Sequence, residues 1–176
     1  MGNITIAGVD PALANFGLAK GTLDLDTGIL DLTHLELIRT SKTKDKQLRR
    51  NVDDLERCRK LYNGLSAFLE EVDIMCVEAP VGSQNSRAAA SYGACIGILS
   101  AVQTPMIIVT PDQVKIAAIS NKKATKKEMI EWGRKTYPNA DWLNTLNDEH
   151  LADAVAAIHA GVQTDQFNQA KAFMRK

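Results

Sequence analysis

Three strand-like segments crowd into the first 38 residues, and the rest of the chain alternates helix with strand. That order dictates the kind of sheet the chain can build. Asn3 to Val9 is rich in β-formers and stops at Asp10-Pro11, and residues 16–24 and 29–38 are split by the turn Asp26-Thr27-Gly28. These three make a meander. Residues 45–71 then place Leu48, Val52, Leu55, Cys58, Leu61, Leu65 and Phe68 at steps of three or four, which predicts one long amphipathic helix. Residues 73–78 form a short apolar strand ending at Glu78-Ala79-Pro80, and residues 86–102 have helical spacing behind Ser86 as N-cap. A buried-type strand at 106–109 is closed by Thr110-Pro111, and Pro111 suits the first turn of a helix. Helices near 111–119, 125–136 and 147–161 complete the layout, and the polar stretch from Gln163 is expected to fray. The expectation is an α/β fold, a mixed five-stranded sheet flanked by helices on both faces.

Composition narrows the function classes. The 176 residues have room for a single domain, and 45% apolar with 24% charged residues is too apolar for a disordered chain. The 21 basic and 21 acidic residues cancel, so any nucleic-acid contact must come from local patches. Cys58, Cys76 and Cys95 form no CxxC pair and read as buried free thiols in a reduced compartment. No apolar run approaches the roughly 20 residues of a membrane span. The residues up to Val9 lack the basic start of a signal peptide, so a cytoplasmic protein with no membrane contact is the expectation.

Two apolar strands end on a carboxylate, Asp10 on one and Glu78 on the other. Carboxylates are costly to bury and need water, partners or a cation to face. A turn-forming Asp-Pro and a solvated Glu would account for either one alone. The helix opened by Asp148-Glu149-His150-Leu151-Ala152-Asp153 adds a third element, with His150 and Asp153 on one face and Glu149 almost sharing it. Asp148 and Glu149 are explained by the helix dipole, whereas Asp153 interrupts an otherwise buried stripe. Three segments that each bring a carboxylate, plus one imidazole, match the needs of Mg²⁺ or Mn²⁺.

In these residues the chain resembles the RuvC-type Holliday junction resolvases, within the RNase H-like nuclease fold. Gly8-Val9-Asp10-Pro11 with Phe16-Gly17 resembles the family's first strand, and Val77-Glu78 its second acidic strand. Asn85, Tyr92-Gly93 and Gly97 follow at family spacing. Pro111-Asp112-Gln113-Val114-Lys115 and Ala124-Thr125-Lys126-Lys127 resemble two basic segments, with Lys115 and Lys126 in the DNA-contacting places. His150-Leu151-Ala152-Asp153-Ala154-Val155-Ala156 resembles the terminal motif, and the motifs run in family order from about residue 4 to 160. The resemblance implies a homodimer, each subunit cutting one of two opposed strands of a four-way junction and leaving a 5′ phosphate. Asp10, Glu78, His150 and Asp153 would hold two Mg²⁺ ions, with Mn²⁺ able to substitute; His150 is either a ligand or the group that orients the attacking water. Two departures stand out: Val81-Gly82-Ser83-Gln84 lacks the aromatic that the family uses to stack on a base, and Leu23 to Lys46 matches loosely. So short and diverged a chain resembles a phage or mobile-element member, and the departures leave open both cleavage-sequence preference and a branch-migration helper.

Basic residues cluster twice. The group from Arg39 to Lys60 reads as the solvated face of a helix. The second is the stronger candidate for phosphate contact: Lys122, Lys123, Lys126 and Lys127 fall within six residues, with Lys115 upstream. Arg87 can reach a phosphate near Glu78 or lie on the surface. Gly93 and Gly97, four apart among alanines, allow close approach of a backbone, either the chain's own sheet or a second subunit. Trp132, Tyr137 and Trp142 read as core of the final helices, and His34 and His159 as structural. Rival readings are a broader branched-DNA or RNA–DNA hybrid nuclease of the same fold, and a junction-binding protein without turnover. A sugar-kinase-like ATPase needs a second domain for which 176 residues leave no space.

Overall fold

The computed structural model describes residues 2–47, 49–79 and 86–174, apart from the side chain of Arg87. Leu48, the 81–84 loop, Asn85 and the Arg87 side chain, all singled out by the sequence, therefore lie outside the described part. Five strands form one sheet: β1 (Asn3–Asp10), β2 (Asn15–Asp24), β3 (Leu30–Arg39), β4 (Ile74–Glu78) and β5 (Met106–Val109), in the order β3-β2-β1-β4-β5. β1 pairs antiparallel with β2, and β2 with β3, as the short turns require; β4 and β5 continue the sheet parallel to β1. The helices are α1 (Arg50–Phe68), α2 (Ser86–Ala101), α3 (Pro111–Ile119), α4 (Lys126–Thr136), α5 (Asp148–Gly161) and α6 (Asp165–Met174). Thr110 and Thr125 start α3 and α4 with full capping boxes, each closed by the residue three places on, Gln113 and Glu128.

Side-chain alternation along the strands divides the core in two. Ile4 and Ile6 of β1 and Ile74 and Cys76 of β4 face α5, together with Val114, Met129, Trp142 and Phe167. Ala7, Val9, Met75 and Val77 face the other way, onto Leu61, Leu65 and Phe68 of α1 and Cys95, Ile98 and Leu99 of α2. Helices thus cover both faces, as expected.

α5 crosses β1, β2 and β4 at close range, and glycines set its height. A β-carbon on Gly17 of β2 would run into the His150 carbonyl, one on Gly8 of β1 into the Ala154 carbonyl, and one on Gly161 into Cys76 Sγ. The start of α5 therefore lies over β2, its middle over β1 and its end over β4.

Two elements differ from expectation. The polar stretch beyond Gln163 does not fray but forms α6: Phe167 is buried, and the Phe167 N–H donates to Thr164 Oγ1 at 3.1 Å. α1 is shorter than 45–71, and its first turns bury Asp53 and Arg57 while Val52 and Leu55 stand exposed. Polar partners explain the exchange: Asp53 accepts from the Thr43 N–H, and Arg57 donates to Thr40 Oγ1 and the Leu13 carbonyl. The three cysteines are free, with Cys76 and Cys95 buried and Cys58 half-buried. No helix among the described residues is long and apolar enough to cross a membrane.

Candidate active site

Asp10 is the last residue of β1 and Glu78 the last of β4. The parallel register ends with Val9 opposite Val77, so the two acids follow side by side one residue further on. Both sit at even positions, on the face shared by Ile6, Gly8 and Cys76, which is the face α5 covers. Gly17 lets the first turn of α5 down onto β2, and this brings His150 to Asp10: His150 Nδ1 lies 2.7 Å from Asp10 Oδ2. Asp153, one turn later, points into the same space and its charge acts on both Glu78 and His150. The four residues expected from sequence are thus brought together.

Their electrostatics are those of crowded acids. Burial pushes Glu78 up to about 8, the charges of Asp10 and Asp153 add to this, and Lys115 opposes it. Asp153 rises to about 7, chiefly through burial and next through Asp10, with His150 and Lys115 opposing. Burial alone would lower His150, but the hydrogen bond to Asp10 and the charges of Asp10, Glu149 and Asp153 outweigh it and hold the imidazole above its ordinary value. A protonated His150 donates through Nδ1 to Asp10 and turns Nε2 toward Glu149 Oε1, 3.4 Å away.

Glu149 belongs to this set, although its place in the first turn reads as dipole compensation. Its Oε1 also accepts from Lys126 Nζ at 2.8 Å, so a continuous path of polar contacts runs Lys126, Glu149, His150, Asp10. The available signal was its spacing of four from Asp153. Asp148 is the second residue with more to do than offset a dipole: it is fully buried and accepts from Arg134 Nε at 3.0 Å and from the Leu143 and Asn144 N–H groups.

Of the predicted DNA contacts, Lys115 is half-buried and close enough for its charge to act on Glu78 and Asp153. Lys122, Lys123 and Lys127 are exposed around the start of α4, and Lys126 is exposed but paired with Glu149. Trp142, Tyr137 and Trp132 pack as core rather than stack in solvent: the Trp142 indole donates to the Tyr137 carbonyl, Tyr137 Oη meets His159 Nε2 at 2.7 Å, and Trp132 meets the His159 ring edge-on.

As a donor set, three carboxylates and an imidazole suit a hard divalent cation, and a positive charge among them would relieve the repulsion that raises Glu78 and Asp153. Among the described residues no three such side chains already converge to ligating distance, and one Asp10 oxygen is engaged by His150. That hydrogen bond uses Oδ2, so an ion would approach Asp10 through its other oxygen or in place of the imidazole.

No protein-family model matches the chain, and no curated protein does. Solved structures do. Thermus thermophilus RuvC in complex with a Holliday junction substrate superposes with a TM-score of 0.70 at 22% identity, covering 89% of this chain and 92% of that one. A second T. thermophilus RuvC structure gives 0.65 at 23% identity over 89% and 92% of the two chains. The Fowlpox virus resolvase in complex with substrate Holliday junction DNA gives 0.52 at 15% identity, over 97% of each. On these superpositions the chain, with its mixed five-stranded sheet, has the fold of the RuvC structures.

Proposed function

We propose that this chain is a structure-specific endonuclease that resolves four-way DNA junctions by metal-dependent phosphodiester hydrolysis. The observation that carries the reading is the meeting of Asp10, Glu78, His150 and Asp153 from three separate segments at the ends of two parallel strands, in the RuvC-type fold. The similar structures of T. thermophilus and Fowlpox virus are described with Holliday junction DNA, and that substrate class is adopted here.

Asp10, Glu78 and Asp153, with His150, would hold Mg²⁺, two ions per site, with Mn²⁺ substituting. Such ions supply an activated water and charge stabilisation at the leaving oxygen. The residues themselves do the rest. Asp10 orients His150 through Nδ1, which leaves Nε2 as the nitrogen that a neutral imidazole would offer to an ion or to the attacking water. Lys115 offsets the negative charge at Glu78 and Asp153. Lys122, Lys123 and Lys127 would take phosphates along the approach, and Arg87 a phosphate near the acids. Lys126 joins them by leaving Glu149: its own side chain is exposed, so a phosphate can compete for it from solvent.

Paired nicks across a junction need two sites. The face of α1 and α2 turned away from the sheet exposes Val52, Leu55, Tyr62 and Ile96, and a β-carbon added at Gly93 or Gly97 would meet open space. We assign that face to a homodimer. The engaged Asp10 oxygen favours one second reading, a junction-binding protein without turnover. A substrate panel in Mg²⁺ separates the readings: junction-selective nicking supports the resolvase, equal cutting of flap and junction a general branched-DNA nuclease, and tight binding without cutting the binding protein.

A further inference from the structure

Leu143, Asn144, Thr145 and Leu146 form the turn that leads into α5, and all four are exposed. Leu146 is 84% exposed and Leu143 43%. Leu146 stands largely in water and Leu143 partly so, yet this turn is anchored firmly. The carboxylate of the fully buried Asp148 accepts from the Leu143 N–H at 2.9 Å, the Asn144 N–H at 3.1 Å and Arg134 Nε at 3.0 Å. Asn144 sits in the left-handed region at φ 58°, and its side-chain amide donates to the Trp142 carbonyl at 3.2 Å. The Asn147 N–H donates to Thr145 Oγ1, and the buried Trp142 ring fixes the root of the turn against Gly133 of α4. Two aliphatic side chains three residues apart are thus held out on a stiff support.

The position of this support matters as much as its stiffness. The Leu146 carbonyl accepts from the Glu149 N–H at 3.3 Å, and Glu149 in turn holds Lys126 and faces His150. The apolar tip therefore stands one helical turn from the candidate active site, and through Glu149 it is tied to Lys126, which opens α4 close in sequence to Lys122, Lys123 and Lys127. Those lysines select an anionic polymer. The surfaces of such a polymer that an aliphatic side chain can cover are base faces, and these come free where stacking is interrupted, as at a branch point. A protein partner's apolar pocket would not call for four lysines alongside.

We propose that Leu146, with Leu143 beside it, is a wedge that lies against an unstacked base of branched DNA next to the cleavage site. The proposal rests on the nuclease reading above and adds a binding element to it.

The test uses a four-way junction carrying 2-aminopurine at its branch point, whose fluorescence rises when the base loses its stack. Cleavage is suppressed by working in an Asp10→Asn background, and binding is followed by anisotropy in the same samples. The Asp10→Asn protein should raise the fluorescence at saturation by about twofold or more, in line with loss of base stacking. Adding Leu143→Ala and Leu146→Ala should remove most of that rise while affinity, carried by the lysines, stays within about threefold. Leu146→Met should keep the rise, and thermal unfolding of all three should coincide because the side chains are exposed. An undiminished rise with the alanine pair overturns the wedge and leaves the nuclease reading standing, as does a bound junction with no rise at all. Loss of binding by the alanine pair also overturns it, since the leucines would then supply affinity rather than unstacking. Failure of the Asp10→Asn protein to bind any junction removes both the nuclease reading and the wedge.

Discussion

Glu78 and Asp153 keep their protons to about 8 and about 7 in the fold, against ordinary values of 4.5 and 3.8. The folded chain therefore binds more protons than the unfolded chain between those limits, and stability must fall as pH rises through the window. In EDTA the chain should melt several degrees higher at pH 5 than at pH 8, a difference on the order of 1–3 kcal/mol. Asp153→Asn should remove only part of that difference, because Glu78, raised chiefly by its own burial, still titrates in the window, and Mg²⁺ should raise the melting temperature more at pH 8 than at pH 5. A melting temperature that climbs with pH in EDTA would contradict the crowding of these acids. Glu149 makes a second prediction at this scale. Glu149→Gln removes one negative charge and frees Lys126, so junction binding measured by anisotropy should tighten by roughly two- to tenfold.

At the scale of elements, the site depends on how closely α5 approaches the sheet. Gly8→Ala sets a β-carbon against the Ala154 carbonyl, a backbone atom that cannot swing aside. Denaturant titration should show a loss of about 1–3 kcal/mol or more, as overpacking of a tight core does. Asp148→Ala should cost about 3–5 kcal/mol, because it strands Arg134 and two turn N–H groups. Much of this element layout was legible in sequence, since strand ends such as Asp10-Pro11 and caps such as Thr110 and Thr125 are local signals. The depth of Asp148 was not, because its partner Arg134 lies 14 residues away and only the packing of α4 on α5 joins them. The same holds for the first turns of α1, where long-range partners at Thr40 and Leu13 bury Arg57 and leave Leu55 outside. Lys126 could be read as basic from sequence, but its engagement with Glu149 depends on tertiary contact.

At the scale of the whole molecule, a neutral chain that binds a polyanion, as proposed, must do so through an uneven charge distribution. Junction affinity should accordingly drop steeply with salt, and each of Lys122→Ala, Lys123→Ala and Lys127→Ala should lower the slope by about 1. The exposed apolar face of α1 and α2 predicts a dimer by analytical ultracentrifugation at micromolar concentration, and Leu55→Glu with Ile96→Glu should yield monomers that still bind DNA but no longer make paired nicks. The most direct test of the account is incubation of a labelled, mobile four-way junction with the parent chain and with Asp153→Asn in Mg²⁺. The account predicts symmetric nicks by the parent and loss of at least about a hundredfold in rate by the variant, with junction binding retained. Cutting by Asp153→Asn at near the parent rate would contradict it.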